Sequence, residues 1–340
     1  MKINLISDTV TKPTSKMLKA MLKAEVGDDV FKADPSVNKL EATAAKMFGK
    51  EAALFCPSGT MTNQIAINVH TQPLDEVICD HYSHVYQYET GGPAFNSGVS
   101  MNLITGKNGK ITADQIEAAI KPDFDWLPRT SLVVLENTCN KGGGSYYTLK
   151  EIKPIARLCK KRNLGLHLDG ARLFNALVET GESTKAVGKL FDTISICLSK
   201  GLGAPVGSLL IGNQAFIRQA RRVRKVLGGG MRQAGFIAAA GHFALTKQID
   251  RLKIDNERAR KIGQVLEGLS YVKSVRPVKT NIVIFDLKLP LTADAFLKKM
   301  AKKGIAAAPF GPQTVRFVTH LDFSEKMLKK TLNVLRDFTN

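Results

Sequence analysis

Apolar positions along this chain fall into two alternating patterns. Short apolar runs at Ala52 to Cys56, Glu76 to Cys79, Leu132 to Leu135, Gly165 to Leu168, Thr193 to Leu198 and Gly207 to Ile211 predict buried strands. The stretches near Met61 to Asn68, Ala113 to Ile120 and Leu149 to Arg162 predict helices between them. Upstream, a helical pattern from Thr14 to Glu25 is followed by the turn-rich Gly27-Asp28-Asp29 and a second helix from Pro35 to Phe48. Alternation of this kind builds a mostly parallel sheet with helices on both faces. Such sheets bind their ligands at the carboxyl ends of the strands.

A long helical segment from Ala234 to Leu266 carries the chain out of this unit. Beyond it, strands at Val283 to Leu287 and Val315 to Val318 and helices at Ala293 to Lys303 and Ser324 to Asp337 predict an α+β cap. The expected division is a large domain over residues 1–248, including the N-terminal segment, and a small one over 249–340. No internal repeat or low-complexity tract interrupts it.

Composition narrows the class. A chain of 340 residues with 44% hydrophobic content can bury a substantial core. Lys and Arg number 49 against 30 Asp and Glu, a net charge of +19, which raises the question of a nucleic-acid partner. The basic residues are spread through amphipathic segments such as Lys153 to Arg162, however, and no recognition motif interleaves aromatics with them, so no specific nucleic-acid partner is expected. The densest run, Arg218 to Lys225, reads equally as a phosphate or subunit contact and as a solvated helix face. No stretch reaches 18 uninterrupted apolar residues and Met1 to Asp8 has no apolar signal region, so no membrane partner and a cytoplasmic location are expected. The five cysteines (Cys56, Cys79, Cys139, Cys159, Cys197) are scattered and never form C-x-x-C, which predicts reduced, mostly buried thiols.

The string His167-Leu168-Asp169-Gly170-Ala171-Arg172 and, further on, Ser199-Lys200-Gly201-Leu202-Gly203-Ala204-Pro205 put a carboxylate and an amine at the ends of two strands. An acid that holds a ring nitrogen protonated and a lysine that forms an imine are the groups pyridoxal 5'-phosphate (PLP) most needs. Ser58, Gly59 and Thr60 open a helix after a strand, as a phosphate cup does, although the same string makes an ordinary N-cap. No G-x-G-x-x-G or P-loop string occurs, which disfavours NAD and ATP. His81 and His84 with Asp80 and Glu89 lack a further ligand at a recognisable spacing, so no catalytic metal is expected. His84 suits stacking on a cofactor ring and proton exchange, or else a buried structural role. Arg172 and Arg316 are candidates for two-donor capture of a substrate carboxylate, Arg316 reading equally as a surface-strand arginine.

Taken in order, Ser7-Asp8-Thr9-Val10-Thr11, Gly27-Asp28-Asp29-Val30, Pro57-Ser58-Gly59-Thr60-Met61, Leu135-Glu136-Asn137-Thr138, the two strings above and Leu227 to Gly235 resemble the L-threonine aldolase family. The resemblance runs from Ser7 to His320. It implies an α/β fold-type I PLP-dependent large domain, a smaller α+β C-terminal domain, and cleavage of β-hydroxy-α-amino acids, typically threonine to glycine and acetaldehyde. It also implies a homotetramer or homodimer whose sites draw on two subunits. By the same resemblance Lys200 is the imine lysine, Asp169 the partner of the pyridine nitrogen and His84 the residue stacked on the ring. Ser58, Gly59, Thr60 and Arg172 complete the cofactor contacts, while Ser7, Arg172 and Arg316 hold the substrate carboxylate. The chain departs from the family pattern at Ile6, often arginine, Phe31, commonly tyrosine, and Trp126, often histidine. Trp126 would face the β-substituent and favour bulky substrates, or else simply pack in a loop. The rival readings are another PLP-dependent β-lyase, a serine hydroxymethyltransferase-like activity, and a non-catalytic regulator.

Overall fold

The computed structural model describes residues 2–338; Met1, Thr339 and Asn340, at the outer ends of the two expected domains, lie outside the described residues. Strand β1 (Ile3–Asn4) leads into helices α1 (Ser15–Leu22) and α2 (Pro35–Phe48). Three local signals bound α2 where the sequence predicts: Asp34 accepts the Val37 N–H at 3.0 Å, Pro35 opens the first turn, and Gly49 closes the last with φ 63°.

The large unit continues through β2 (Ala52–Cys56), α3 (Gly59–His70), β3 (Asp75–Asp80), α4 (His84–Gln87), α5 (Gly92–Ser97) and β4 (Ser100–Ile104). It is completed by α6 (Ala113–Ala119), β5 (Arg129–Glu136), α7 (Leu149–Lys161), β6 (Gly165–Gly170), α8 (Leu173–Thr180), α9 (Thr184–Gly188), β7 (Thr193–Cys197) and β8 (Ser208–Gly212). Seven strands form one sheet in the order β2-β8-β7-β6-β5-β3-β4, in which only β8 runs antiparallel to its neighbours. Strands β7 and β8 are buried along their whole length, as continuous apolar runs require in a sheet covered on both faces. Edge strand β4, half-exposed and mixed in polarity, gave no such signal.

The predicted long helix is two helices. After α10 (Gln214–Val226), α11 (Gly235–Lys247) packs on α1 and α2, and α12 (Leu252–Glu267) packs on the second core. The chain breaks between them because its apolar face must pass from one core to the other. Arg251, in the break, donates to the Gly201 carbonyl and pairs with Asp255. The smaller unit adds β9 (Val272–Val275), β10 (Ile282–Leu287), α13 (Ala293–Lys302), β11 (Ile305–Ala306), β12 (Ala308–Pro309), β13 (Thr314–Val318) and α14 (Glu325–Arg336). Its antiparallel sheet has the order β12-β13-β10-β9. One assignment changes. The first residues pack with this unit and not with the large one, because β1 pairs in parallel with β11 and buries Ile3 and Leu5 in the second core.

The basic run of α10 takes a third course. Arg224 is buried, donates to the Phe55 carbonyl at 2.7 Å and pairs with Asp29, while Arg221 pairs with Glu41. Two of its cations therefore fasten the Asp28–Phe31 turn and α2 from inside. All five cysteines are buried and free. Among the described residues, no helix is long and apolar enough to cross a membrane.

Candidate active site

The carboxyl ends of β3, β5, β6 and β7 converge, with Glu136 level with Asp169 and Asp169 level with Ser195. Asp169 is buried; its Oδ2 accepts from Asn63 Nδ2 at 2.9 Å and its Oδ1 from the Ala171 N–H at 3.2 Å. Lys200 follows the end of β7 in a tight turn closed by the Gly203 N–H on the Lys200 carbonyl at 2.9 Å. This turn sets Lys200 at the same end of the sheet as Asp169.

Beside Asp169, Ser58 caps α3 by accepting the Met61 N–H at 3.2 Å. The Gly59 and Thr60 N–H groups precede the first intrahelical donor and point out of the helix end, where the dipole favours an anion. Gly59 has no alternative here, since a Cβ would lie 2.6 Å from Cys197 Sγ. Beneath it, the Ser208 hydroxyl is buried without a hydrogen-bond partner. A phosphate end, a buried acid and an amine are thus presented together, and the residues present fit PLP: Gly59 and Thr60 for the phosphate, Asp169 for the ring nitrogen, Lys200 for the aldehyde.

His84 opens α4, and its Nδ1 lies 2.9 Å from Glu89 Oε1. Ligand atoms of His84, Glu89 and Asp169 lie within 4.8 Å of one another, drawn together by Asn63, whose amide nitrogen donates to both acids at 2.9 Å. Burial pushes the His84 pKa down, but the hydrogen bond to Glu89 and the charge of Asp169 outweigh it and raise the value above that of free histidine. Glu136 accepts the backbone N–H groups of His84 and Asn140 at 3.1 and 3.0 Å. Burial, then repulsion from Asp169, push its pKa up to about 7.

The expected carboxylate clamp is only partly available. Arg172, buried, gives Nε and Nη2 to the two oxygens of Asp8 at 2.7 Å each, so the fork assigned to a substrate already holds a protein acid. Arg316, on β13, donates Nη1 to Asn140 Oδ1 at 2.9 Å and Nη2 to the Ile6 carbonyl at 3.0 Å, while its Nε is buried with no partner. Burial, then the charge of Arg172, lower its pKa to about 10, the signature of a cation short of an anion. Ser7 stands alongside, half-buried, its hydroxyl accepting from the Thr9 N–H. Ile6 contributes through its carbonyl, so its side chain is not read there.

Trp126 does not join this group. It is 76% exposed, stacked on Phe124 in the turn that precedes β5, whereas the site lies at the other end of that strand. Seven residues of rise separate Arg129 from Glu136, about 23 Å. Within one chain, Trp126 is a loop aromatic. Phe31 is likewise exposed on its turn.

Asp8, Asn63, Glu136, Asn140 and His167 were not singled out from sequence. Asn63 carried a usable signal, standing one helical turn after Gly59 on α3, the face that must look at the strand ends. The others are polar residues whose partners come from distant segments.

Fold and site together are those of the fold-type I class. The structure superposes on *Leishmania major* threonine aldolase with a TM-score of 0.85 at 23% identity, covering 98% of each chain. The chain belongs to the beta-eliminating lyases, whose family model matches residues 4–290, and within them to the low-specificity L-threonine aldolases. It is 40% identical to the Low specificity L-threonine aldolase of *Escherichia coli* (strain K12) over 99% of both chains. It is 39% identical to Low-specificity L-threonine aldolase 1 of *Arabidopsis thaliana* over 97% of this chain and 94% of the relative.

Proposed function

We propose that this chain binds PLP and cleaves L-threonine, L-allo-threonine and related β-hydroxy-α-amino acids to glycine and an aldehyde. The observation that carries the reading is the convergence of buried Asp169, Lys200 and the open α3 N-terminus at adjoining strand ends, with Arg316 Nε buried and without a partner. Bound PLP supplies an electron sink for the pair left on Cα when the Cα–Cβ bond breaks. Asp169 keeps the ring nitrogen charged by favouring its protonated form. Arg316, with Ser7 beside it, would hold the substrate carboxylate and so set which bond at Cα is presented for cleavage. His84, with Nδ1 directed at Glu89, leaves Nε2 to take the β-hydroxyl proton, directly or through a water it positions.

In this reading the chain works as a homodimer or homotetramer in the cytoplasm, and residues 249–340 with the first five residues form the smaller domain. Exposed Phe31, Phe95 and Val226 supply apolar area for a second copy to cover. Trp126 contacts substrate only if such a copy brings it to a neighbouring site. Incubation of the purified protein with PLP and threonine, allo-threonine or phenylserine tests the reaction: glycine plus the matching aldehyde is expected. A keto acid plus ammonia would instead make it a β-eliminating enzyme.

A further inference from the structure

Behind Asp169 a line of four side chains crosses the interface between α3 and the sheet. Asn63 and His70 lie two turns apart on α3, His167 lies two residues before Asp169 on β6, and Thr193 is its partner on β7. Asn63 Oδ1 lies 3.2 Å from His167 Nε2, His167 Nδ1 is 2.9 Å from Thr193 Oγ1, and Thr193 Oγ1 is 2.8 Å from His70 Nε2.

The direction of each bond follows from the one before it. Carboxylates only accept, so the atom of Asn63 that faces both Glu89 and Asp169 is its NH2 group, and its oxygen faces His167. That oxygen only accepts, so His167 carries its proton on Nε2. Burial, then the charge of His70, lower the His167 pKa to about 3, and burial lowers that of His70 to about 4, so both rings are neutral near pH 7. A neutral ring with a proton on Nε2 has a bare Nδ1. Thr193 therefore donates its one hydroxyl proton to His167 and accepts from His70 Nε2.

We propose that His70, Thr193, His167 and Asn63 form a one-way hydrogen-bond relay whose every donor points toward Asp169, and that this relay tunes the acid that faces the cofactor ring nitrogen. The inference rests on the reading of Asp169 as that partner. Bonds aligned in one direction polarise one another and stabilise negative charge at the accepting end. Through Asn63 the relay brings only neutral groups to buried Asp169 from the α3 side. Asn63 and His167 are positioning residues.

The test is the tautomer. Nitrogen-15 NMR of the PLP-loaded protein labelled at its 6 histidines, with His70→Gln and His167→Gln variants for assignment, is expected to find both rings neutral from pH 6 to 8 with the proton on Nε2. A proton on Nδ1 of His167, or a ring that titrates in that range, overturns the relay whether or not the protein is an aldolase. Thr193→Val keeps the branched shape and removes the hydroxyl. It is expected to lower kcat about three- to tenfold, the range of one lost hydrogen bond, with KM for threonine unchanged and the His167 signals displaced; Thr193→Ser restores both. Wild-type kcat in Thr193→Val, with its His167 signals displaced, overturns the tuning role. Failure of the aldolase reading itself appears separately, as absence of glycine from the wild-type reaction.

Discussion

Arg172 and Asp8 stand 164 positions apart and close a two-bond ion pair, Nε to Oδ2 and Nη2 to Oδ1, both at 2.7 Å. Asn281 from the smaller unit adds a third bond to Asp8 at 3.1 Å. Burial alone would raise the Asp8 pKa, but the Arg172 charge and hydrogen bond outweigh it and bring the value down to about 2. A depressed folded value means stability that is complete above the ordinary value of 3.8 and lost as pH falls through 2. The contribution is about 2 kcal/mol. Asp8→Asn leaves Arg172 buried without its counter-charge and is expected to cost about 3–5 kcal/mol in urea unfolding at pH 7, with a flatter acid limb.

Lys200→Ala is expected to abolish the visible absorption of the PLP-loaded protein and nearly all turnover. Borohydride reduction of the wild type should attach the cofactor to Lys200, and peptide mapping that found another lysine would remove this assignment.

Arg316→Lys keeps a cation but loses the planar two-donor geometry. The KM for threonine is expected to rise tenfold or more, in line with a charged hydrogen bond of about 1.5–3 kcal/mol, while PLP affinity holds. Steady-state kinetics and cofactor titration separate the two; an unchanged KM would return Arg316 to a structural part.

Glu136 titrates in the opposite sense to Asp8. Its folded pKa, about 7, lies above the ordinary value of 4.5, so the folded chain holds the extra proton and loses stability as pH rises from 4.5 to 7. Glu136→Gln cannot ionise and is expected to flatten this decline in unfolding free energy measured across that window. An equally steep decline in the variant would assign the titration to another group.

Much of the architecture was legible because local signals and burial agree. The ends of α2 are set by Asp34, Pro35 and Gly49 within its own segment, and β6 and β7 announce themselves as apolar runs, which put Asp169 and Lys200 at strand ends before any contact is known. What failed depends on distant partners. Nothing near residue 250 says that α11 and α12 serve different cores, and nothing near Ile3 says that its neighbour is Ile305. Arg172 was expected to hold a substrate carboxylate with its two donors, which in the structure go to Asp8, a partner from a distant segment. The Trp126 reading came from the family pattern, which carries no information about which end of β5 the preceding turn occupies.

The pairing of β1 with β11 also orders events in time. Ile3 is made long before the strand that covers it, which contains Ile305, and Arg316 reaches the Ile6 carbonyl from later still. At about 5–20 residues per second on the ribosome, the opening segment waits roughly 15–60 s for its partner. The large sheet can assemble during that interval, but the corner of the pocket formed by Ser7, Asp8 and Arg316 cannot. A nascent chain halted before residue 305 would carry Asp169 and Lys200 in a pocket with no wall for the substrate carboxylate.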